Sequence, residues 1–188
     1  DVRRMVMQMR AISEASRAIA LVTASAYDLS HKVEDTEQRQ KYQRRLELMT
    51  PVVKGWCTEM AQESTYLGVQ VHGGMGFIEE TGAAQFYRDA RITTIYEGTT
   101  GIQAMDLVGR KILRDKGVAL GELIYEIEVF LNDLDANDEK LSAIRVRLSS
   151  SFNAFKSTTL WYLENGAKDA SVSGSIAVNY MMMTGNIV

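Results

Sequence analysis

Apolar side chains recur at intervals of three and four residues along most of this sequence, and the chain contains a single proline, Pro51. Such spacing places apolar side chains on one face of an α-helix, and proline is the residue that most often interrupts a helix. The sequence therefore predicts an all-α fold without a β-sheet. At 188 residues the chain is long enough for one domain, or for one domain with an appendage.

The periodic segments and their punctuation divide the chain into a series of predicted helices. In order, these cover residues 2 to about 32, about 37 to 50, 52 to about 71, about 81–88, 100 to about 116, 123–134, 141 to about 165 and 170–183. Thr50 and Pro51 have the residue types of an N-cap and a first helical position, so either a kink or a new helix is expected there. Thr81, and either Thr99 or Thr100, are predicted N-caps.

Glycines and a polar segment mark the expected breaks between helices. Gly73 and Gly74 are predicted to end the central helix, because glycine readily adopts a positive φ. Gly117 and Gly121 mark a boundary between a helical domain, residues 1–118, and a further helical region, residues 119–188. Residues 133–138 form a polar break inside that region. The first residues already have helical character and the last helix lacks a closing signal, so we expect a piece of a longer protein.

One carboxylate stands out in the second of two glycine-rich turns, HGGMG at 72–76 and YEGTTG at 96–101. Glu97 has apolar neighbours on both sides, among them Ile95 and Ile102. If those neighbours bury it, desolvation raises the pKa of the carboxyl and suits it to act as a general base near neutral pH. The alternative is a solvated carboxylate that is stabilised by the dipole of the following helix.

Four motifs in this stretch occur in the order and spacing of one enzyme family. They are Q-x-x-G-G-x-G-F from Gln70, Y-R-D-A at 87–90, I-Y-E-G-T at 95–99 and I-Q at 102–103. The segment resembles the carboxyl-terminal catalytic segment of the flavin-dependent acyl-CoA dehydrogenases. It is similar above all to the larger, 3-methylmercaptopropionyl-CoA dehydrogenase-like subgroup, which has an extra carboxyl-terminal helical region. The resemblance implies a four-helix-bundle-type domain whose first helix this chain lacks, followed by appended helices.

The resemblance also implies a reaction and a set of site residues. The family oxidises an acyl-CoA thioester to the trans-2-enoyl-CoA by α-proton abstraction and β-hydride transfer to FAD. Glu97 is then the catalytic base, and Tyr96 and Gly98 are substrate-binding residues. The implied FAD contacts are Gln70, Val71, His72, Gly73, Gly74, Thr99, Thr100 and Gly101. The group at 70–74 contacts the adenosine end of FAD across a subunit interface, which implies a homo-oligomer, a dimer or a tetramer.

Charge and composition exclude several other functions. The net charge of −3 offers no electrostatic footprint for nucleic acid, and no run of about 18 apolar residues predicts a membrane span. The single cysteine, Cys57, cannot form an internal disulfide, which fits a cytoplasmic protein. No metal site is predicted.

Three functions remain open at this point. The resemblance implies an acyl-CoA dehydrogenase with electron-transferring flavoprotein as the acceptor. One alternative is an acyl-CoA oxidase, which uses the same base chemistry with oxygen as the acceptor, and the other is a non-catalytic helical interaction module. Because the family's amino-terminal helical domain and β-domain are not in this chain, we expect the chain alone to be inactive and to hold FAD weakly.

Overall fold

The computed structural model describes residues 1–134 and 139–188, with the side chains of 139 and 140 left out. Every regular element in those residues is helical, which confirms the all-α prediction. The helices are α1 (Val2–Lys32), α2 (Thr36–Val71), α3 (Gly74–Phe77), α4 (Ala83–Thr93), α5 (Thr100–Met105), α6 (Val118–Asp133), α7 (Glu139–Asn165) and α8 (Ala170–Ile187). A 3₁₀ turn (Glu79–Thr81) precedes α4, and a π-helical segment (Asp106–Leu113) continues α5.

The two longest helices, α1 and α2, form an antiparallel pair. Gln8 donates to Glu63, and the Cys57 thiol lies 3.9 Å from the carbonyl of Ser16, so residues early in α1 meet residues late in α2. The Asp35 carboxylate accepts from the amide of Gln38 at 2.8 Å and thereby caps the first turn of α2. This pair is the scaffold on which the later elements pack.

Helix α2 continues through Pro51, so the alternative of a new helix at this point is wrong. The Thr50 hydroxyl donates to the carbonyl of Leu46 at 2.7 Å instead of capping a new helix. Pro51 and Val52 are fully buried in the core. Proline has no N–H group, so one backbone hydrogen bond of α2 is missing here. Tertiary packing of the buried face stabilises the helix at this point.

One helix start differs from the predicted one, and the short helix α3 was not predicted. Thr81 does not cap α4; its hydroxyl donates to the carbonyl of Met75, and α4 begins after Gly82 and extends to Thr93. Gly73 has the predicted positive φ, 60°, whereas Gly74 begins α3. The Thr81 hydroxyl bonds to a backbone group that lies outside the expected helix boundary, a contact that local propensity does not reveal.

The helix predicted at 100–116 is not uniform. Its α-helical part ends at Met105, and the π-helical winding that follows ends at Leu113. Leu107, Val108 and Ile112 are all fully buried, so the wider turn accompanies dense packing on this side. Helix α6 then starts at Val118 and contains Gly121, so Gly121 is not part of a break.

The last helix returns to the first part of the chain. Helix α8 packs against α2 and α5 and extends to Ile187, beyond the predicted end at 183. The indole of Trp56 donates to the side chain of Asn186 at 2.9 Å. One hydrophobic core therefore includes residues from α1, α2, α5, the π-helical segment, α6, α7 and α8. Of the polar break predicted at 133–138, residues 135–138 lie outside the described residues.

Buried hydroxyl groups join α7 to α8 inside this core. Thr159 and Tyr180 are hydrogen-bonded at 2.5 Å, and Tyr162 and Ser173 at 2.8 Å. Burial raises the pKa of Tyr180 and of Tyr162 above the ordinary value for tyrosine. Among the described residues, no helix is both long enough and apolar enough to cross a bilayer.

Candidate functional site

The turn that carries Glu97, residues 94–99, joins the end of α4 to the start of α5. A backbone hydrogen bond from Thr100 N to Thr94 O, at 3.2 Å, joins the two ends of this turn. The Thr99 hydroxyl accepts from the amide of Ile102, so Thr99 is the N-cap of α5. Thr94 is only 2% exposed. The two ends of the turn are therefore fixed in the structure, while its middle is not part of any helix.

Two consecutive residues in the middle of this turn have positive φ. Glu97 has φ 52° and Gly98 has φ 94°. For a residue other than glycine, the left-handed conformation costs about 1–2 kcal/mol, so neighbouring groups must offset it. The Gln103 side chain donates to the carbonyl of Glu97 at 3.2 Å and is one such group.

Helix α2 supplies two more attachments to the turn. The ammonium of Lys54 donates to the carbonyl of Thr93 at 2.7 Å and to that of Gly98 at 2.8 Å. The same ammonium lies 5.5 Å from the centroid of the Tyr96 ring, within cation–π range. Thr100 donates from its hydroxyl to the Glu59 carboxylate at 2.5 Å. Sequence reasoning missed Lys54 and Glu59, because nothing local connects them to a turn some forty residues later.

The Glu97 carboxylate is exposed, and no residue among 1–134 and 139–188 forms an ion pair or hydrogen bond with it. The expectation that its sequence neighbours would desolvate it is wrong for this chain. Ile95, Tyr96, Ile102 and Met105 are themselves exposed. Neighbours in sequence cannot cover a side chain that lies on the same open surface, so any cover must come from another segment or from a ligand.

The amide of Glu97 makes no backbone hydrogen bond within the described part of the chain. This donor and the free carboxylate belong to the same residue, so the turn offers an acceptor for a proton and a donor for an oxygen side by side. A base needs the first, and the stabilisation of a developing oxyanion needs the second.

The predicted cofactor residues fall into two groups. Gln70, Val71, His72, Gly73 and Gly74 lie at the carboxyl end of α2, where all but the half-buried Val71 are exposed. His72 is bonded through its Nδ1 to the Gly68 carbonyl at 2.7 Å, a contact within the last turn of α2, and no carboxylate or nucleophile among the described residues is hydrogen-bonded to it. Open space surrounds Gly73 and Gly74. This exposed backbone fits the approach of a large polar ligand.

The second group, Thr99, Thr100 and Gly101, forms the start of α5 beside Glu97. Thr100 contacts Glu59, which lies eleven residues before Gln70 on α2. At 1.5 Å per residue these positions are about 16 Å apart along the helix. The two groups of this chain therefore do not converge on one point.

Large apolar side chains are exposed around both groups. Phe77 is 82% exposed and Phe86 71%. The others are Met75, Tyr87, Ile92, Ile95, Tyr96, Ile102 and Met105. So many exposed apolar side chains mark a surface that binds a ligand or another protein segment. In the described residues, no cluster of three His, Cys, Asp or Glu side chains could hold a metal ion.

Comparison with known proteins identifies the family of the chain that contains this turn. Residues 1–113 match the sequence model of the acyl-CoA dehydrogenase carboxyl-terminal domain, and this match covers more than half of the chain. The chain belongs to the acyl-CoA dehydrogenase family. Helices α6 to α8 come after residue 113, the last residue that the family model matches.

Individual relatives extend the similarity over the whole chain. It is 45% identical to the 3-methylmercaptopropionyl-CoA dehydrogenase of Ruegeria pomeroyi over 187 residues, which is 100% of this chain and 32% of the relative. It is 33% identical over 196 residues to the broad-specificity linear acyl-CoA dehydrogenase of Mycobacterium tuberculosis, again covering 100% of this chain and 32% of the relative. The chain thus spans about a third of the length of these curated relatives.

The fold is also similar to that of a solved structure. Caenorhabditis elegans ACDH-11 in complex with C11-CoA superposes with a TM-score of 0.74 and 23% identity, over 98% of this chain and 31% of that one. This superposition extends beyond residue 113, where the family model ends. The similarity of fold therefore includes helices α6 to α8.

The conformation of the turn can be tested with two glycine variants. Gly98→Ala is expected to lower the free energy of unfolding by about 1–2 kcal/mol, because alanine disfavours a positive φ. Its Cβ would also lie 2.7 Å from the Gln103 amide nitrogen that holds Glu97. Gly101→Ala is the matched control, since a Cβ there meets nothing closer than 4.0 Å and the position is helical. Urea unfolding measures both; an equal loss in Gly101→Ala would contradict this account.

Proposed function

We propose that the full-length protein containing this chain is an FAD-dependent acyl-CoA dehydrogenase that oxidises an acyl-CoA thioester to the trans-2-enoyl-CoA. The observation that carries the proposal is the Glu97 carboxylate, which has no partner in the described chain and is presented by a fixed left-handed turn. The turn lies in the domain that defines the family match. The names of the two sequence relatives, both dehydrogenases of CoA thioesters, support the substrate class.

In the proposed reaction, Glu97 removes the proton from the α-carbon of the thioester. The amide of Glu97 donates to the thioester oxygen and stabilises the negative charge that develops there. Tyr96 and Gly98 flank this residue and contact the substrate. FAD, when bound, would supply the hydride acceptor for the β-carbon, so that loss of the α-proton to Glu97 and of the β-hydride would remove two electrons and two protons from the acyl chain as the double bond forms.

The two groups of cofactor residues are proposed to contact different FAD molecules. Thr99, Thr100 and Gly101 lie beside Glu97 and would serve the flavin at which this residue works. Residues 70–74, about 16 Å away along α2, would contact the adenosine end of an FAD held by a second subunit. Their exposure and the open space at Gly73 support this arrangement.

The exposed apolar surface around Glu97 supports a further part of the proposal. Acyl chain, flavin and the remaining domains would cover Ile95, Ile102 and Met105 and exclude water from the carboxylate. This cover is what makes a buried base effective.

The proposed protein is a cytoplasmic homo-oligomer, a dimer or a tetramer, that passes its electrons to an electron-transferring flavoprotein.

Anaerobic mixing of the full-length protein with a series of straight-chain acyl-CoA thioesters tests the proposal. At least one thioester is expected to bleach the flavin absorbance in a single turnover and to yield the trans-2-enoyl-CoA. Slow reoxidation when air is admitted distinguishes a dehydrogenase from an acyl-CoA oxidase, whose flavin reoxidises rapidly. A protein without flavin absorbance would instead be a helical interaction module, and flavin that no thioester in the series bleaches would contradict the proposed reaction.

A further inference from the structure

Lys54 reaches from the middle of α2 to both sides of the Glu97 turn. Its ammonium forms no ion pair with any described residue. It donates to the carbonyls of Thr93 and Gly98 at 2.7 and 2.8 Å. Thr93 is the last residue of α4, where a helix leaves carbonyl groups without an intrahelical partner. Gly98 directly follows Glu97. One charged group therefore joins the end of α4 to the residue after Glu97.

The other attachments of the turn act at different points. The hydrogen bond from Thr100 N to Thr94 O joins the two ends of the turn, and the Glu59 carboxylate accepts from the hydroxyl of Thr100. Gln103 holds the carbonyl of Glu97 but belongs to α5, the element that the turn itself leads into. Lys54 differs because its charge-assisted hydrogen bonds, the stronger kind, reach Gly98 inside the turn as well as Thr93 at the end of α4, whereas Glu59 bonds only to Thr100, the first residue of α5.

We infer that Lys54 is a positioning residue for Glu97, an inference that rests on the proposed role of Glu97 as the base. A residue other than glycine stays in a left-handed conformation only where its surroundings over-determine it, and Lys54 supplies two of the hydrogen bonds that do so. It acts through the backbone, since its hydrogen bonds go to carbonyl groups and not to the Glu97 carboxylate. Without it, the carboxylate loses its fixed distance from the α-carbon of the substrate.

Lys54→Met, which keeps the length of the side chain and removes the ammonium, tests this in the full-length holoprotein. Amide hydrogen exchange of Tyr96 and Thr100, whose amides donate to the carbonyls of Ile92 and Thr94, is expected to accelerate at least about tenfold, because local opening becomes easier. The first-order rate of flavin reduction by acyl-CoA is expected to fall about 10- to 100-fold, the scale of a misplaced reacting group. The half-saturating acyl-CoA concentration and the FAD content are expected to stay unchanged.

Two further variants give the experiment its controls. Lys54→Arg can still donate to two carbonyls, so it is expected to recover part of the rate and of the exchange protection. Lys41→Met makes the same chemical change on the same helix, where Lys41 pairs with Glu126 at 3.3 Å on the surface, and is expected to leave both quantities unchanged.

The outcomes separate this inference from the proposed function. If exchange of Tyr96 and Thr100 in Lys54→Met equals that of the wild type, the inference is overturned, whatever the reaction of the protein. If Lys54→Met loses FAD along with the rate, Lys54 supports the fold and not the turn, which also overturns it. If no thioester bleaches the flavin of the full-length protein, the proposed function fails, and if Glu97→Gln retains the full rate, the base lies elsewhere. In either case, faster exchange in Lys54→Met would still show that Lys54 holds the turn.

Discussion

Replacing Glu97 with glutamine in the full-length protein is expected to slow flavin reduction by acyl-CoA by at least about 10²- to 10⁴-fold, the usual contribution of a general base. Glutamine keeps the shape of the side chain and removes its proton acceptor. Within residues 1–134 and 139–188, the only other carboxylate bonded next to the turn is that of Glu59, which accepts from the hydroxyl of Thr100, the first residue of α5. Single-turnover bleaching under anaerobic conditions measures the rate, and FAD and acyl-CoA are expected to remain bound.

Aspartate and a nearby control sharpen this result. Glu97→Asp keeps a carboxylate but withdraws it by one methylene, so part of the rate is expected to remain. Glu80→Gln is the control, because Glu80 lies in the 3₁₀ turn before α4 and has no assigned role. Glu79 is a poorer choice, since its carboxylate accepts from Arg88 at 2.7 Å. A Glu97→Gln protein that reduces its flavin at the wild-type rate would place the base elsewhere.

Phe155→Ala is expected to lower the free energy of unfolding of the 188-residue chain by about 3–5 kcal/mol, the usual cost of removing a buried phenylalanine. Phe155 is fully buried on α7, and its ring centroid lies 5.7 Å from that of Tyr180 on α8. Because one core includes α7, α8 and the family-matched helices α2 and α5, the loss should appear as a single shifted transition. Urea unfolding followed by circular dichroism measures it.

Leu160→Ala provides the matched control on the same helix. Leu160 is 59% exposed, so its truncation is expected to change the free energy of unfolding by about 0.5 kcal/mol or less. If Phe155→Ala produced two separate transitions, with the first confined to α6, α7 and α8, the appended helices would unfold independently. That result would contradict a single cooperative core.

The helical content of this protein could be predicted from its sequence because periodicity reports directly on which residues share a helix face. Helix α1 was expected at residues 2–32 and is found at Val2–Lys32, and α8 was expected to begin at Ala170 and does. Boundaries that depend on a specific side-chain contact were less accurate. Thr81 has the residue type of an N-cap, yet its hydroxyl bonds to the carbonyl of Met75, six residues earlier.

The candidate site was predictable to a similar extent. Spacing and resemblance identified the Glu97 turn, and Thr99 is one of the two caps expected for α5. Lys54 and Glu59, which hold the turn, were not predicted, because they lie on α2 and meet the turn only in the folded chain. A lysine and a glutamate five residues apart on a helix have no local pattern that distinguishes them from solvated side chains.

The sequence by itself determined the all-α architecture, the position of the glycine-rich turns and the carboxylate at position 97, since these follow from residue types at short separations. Tertiary structure decided that α2 runs through Pro51, because burial of Pro51 and Val52 outweighs a missing backbone hydrogen bond. It also decided the exposure of Glu97. Apolar neighbours in sequence cannot desolvate a carboxylate when they share its open surface, because burial depends on which elements pack over a side chain.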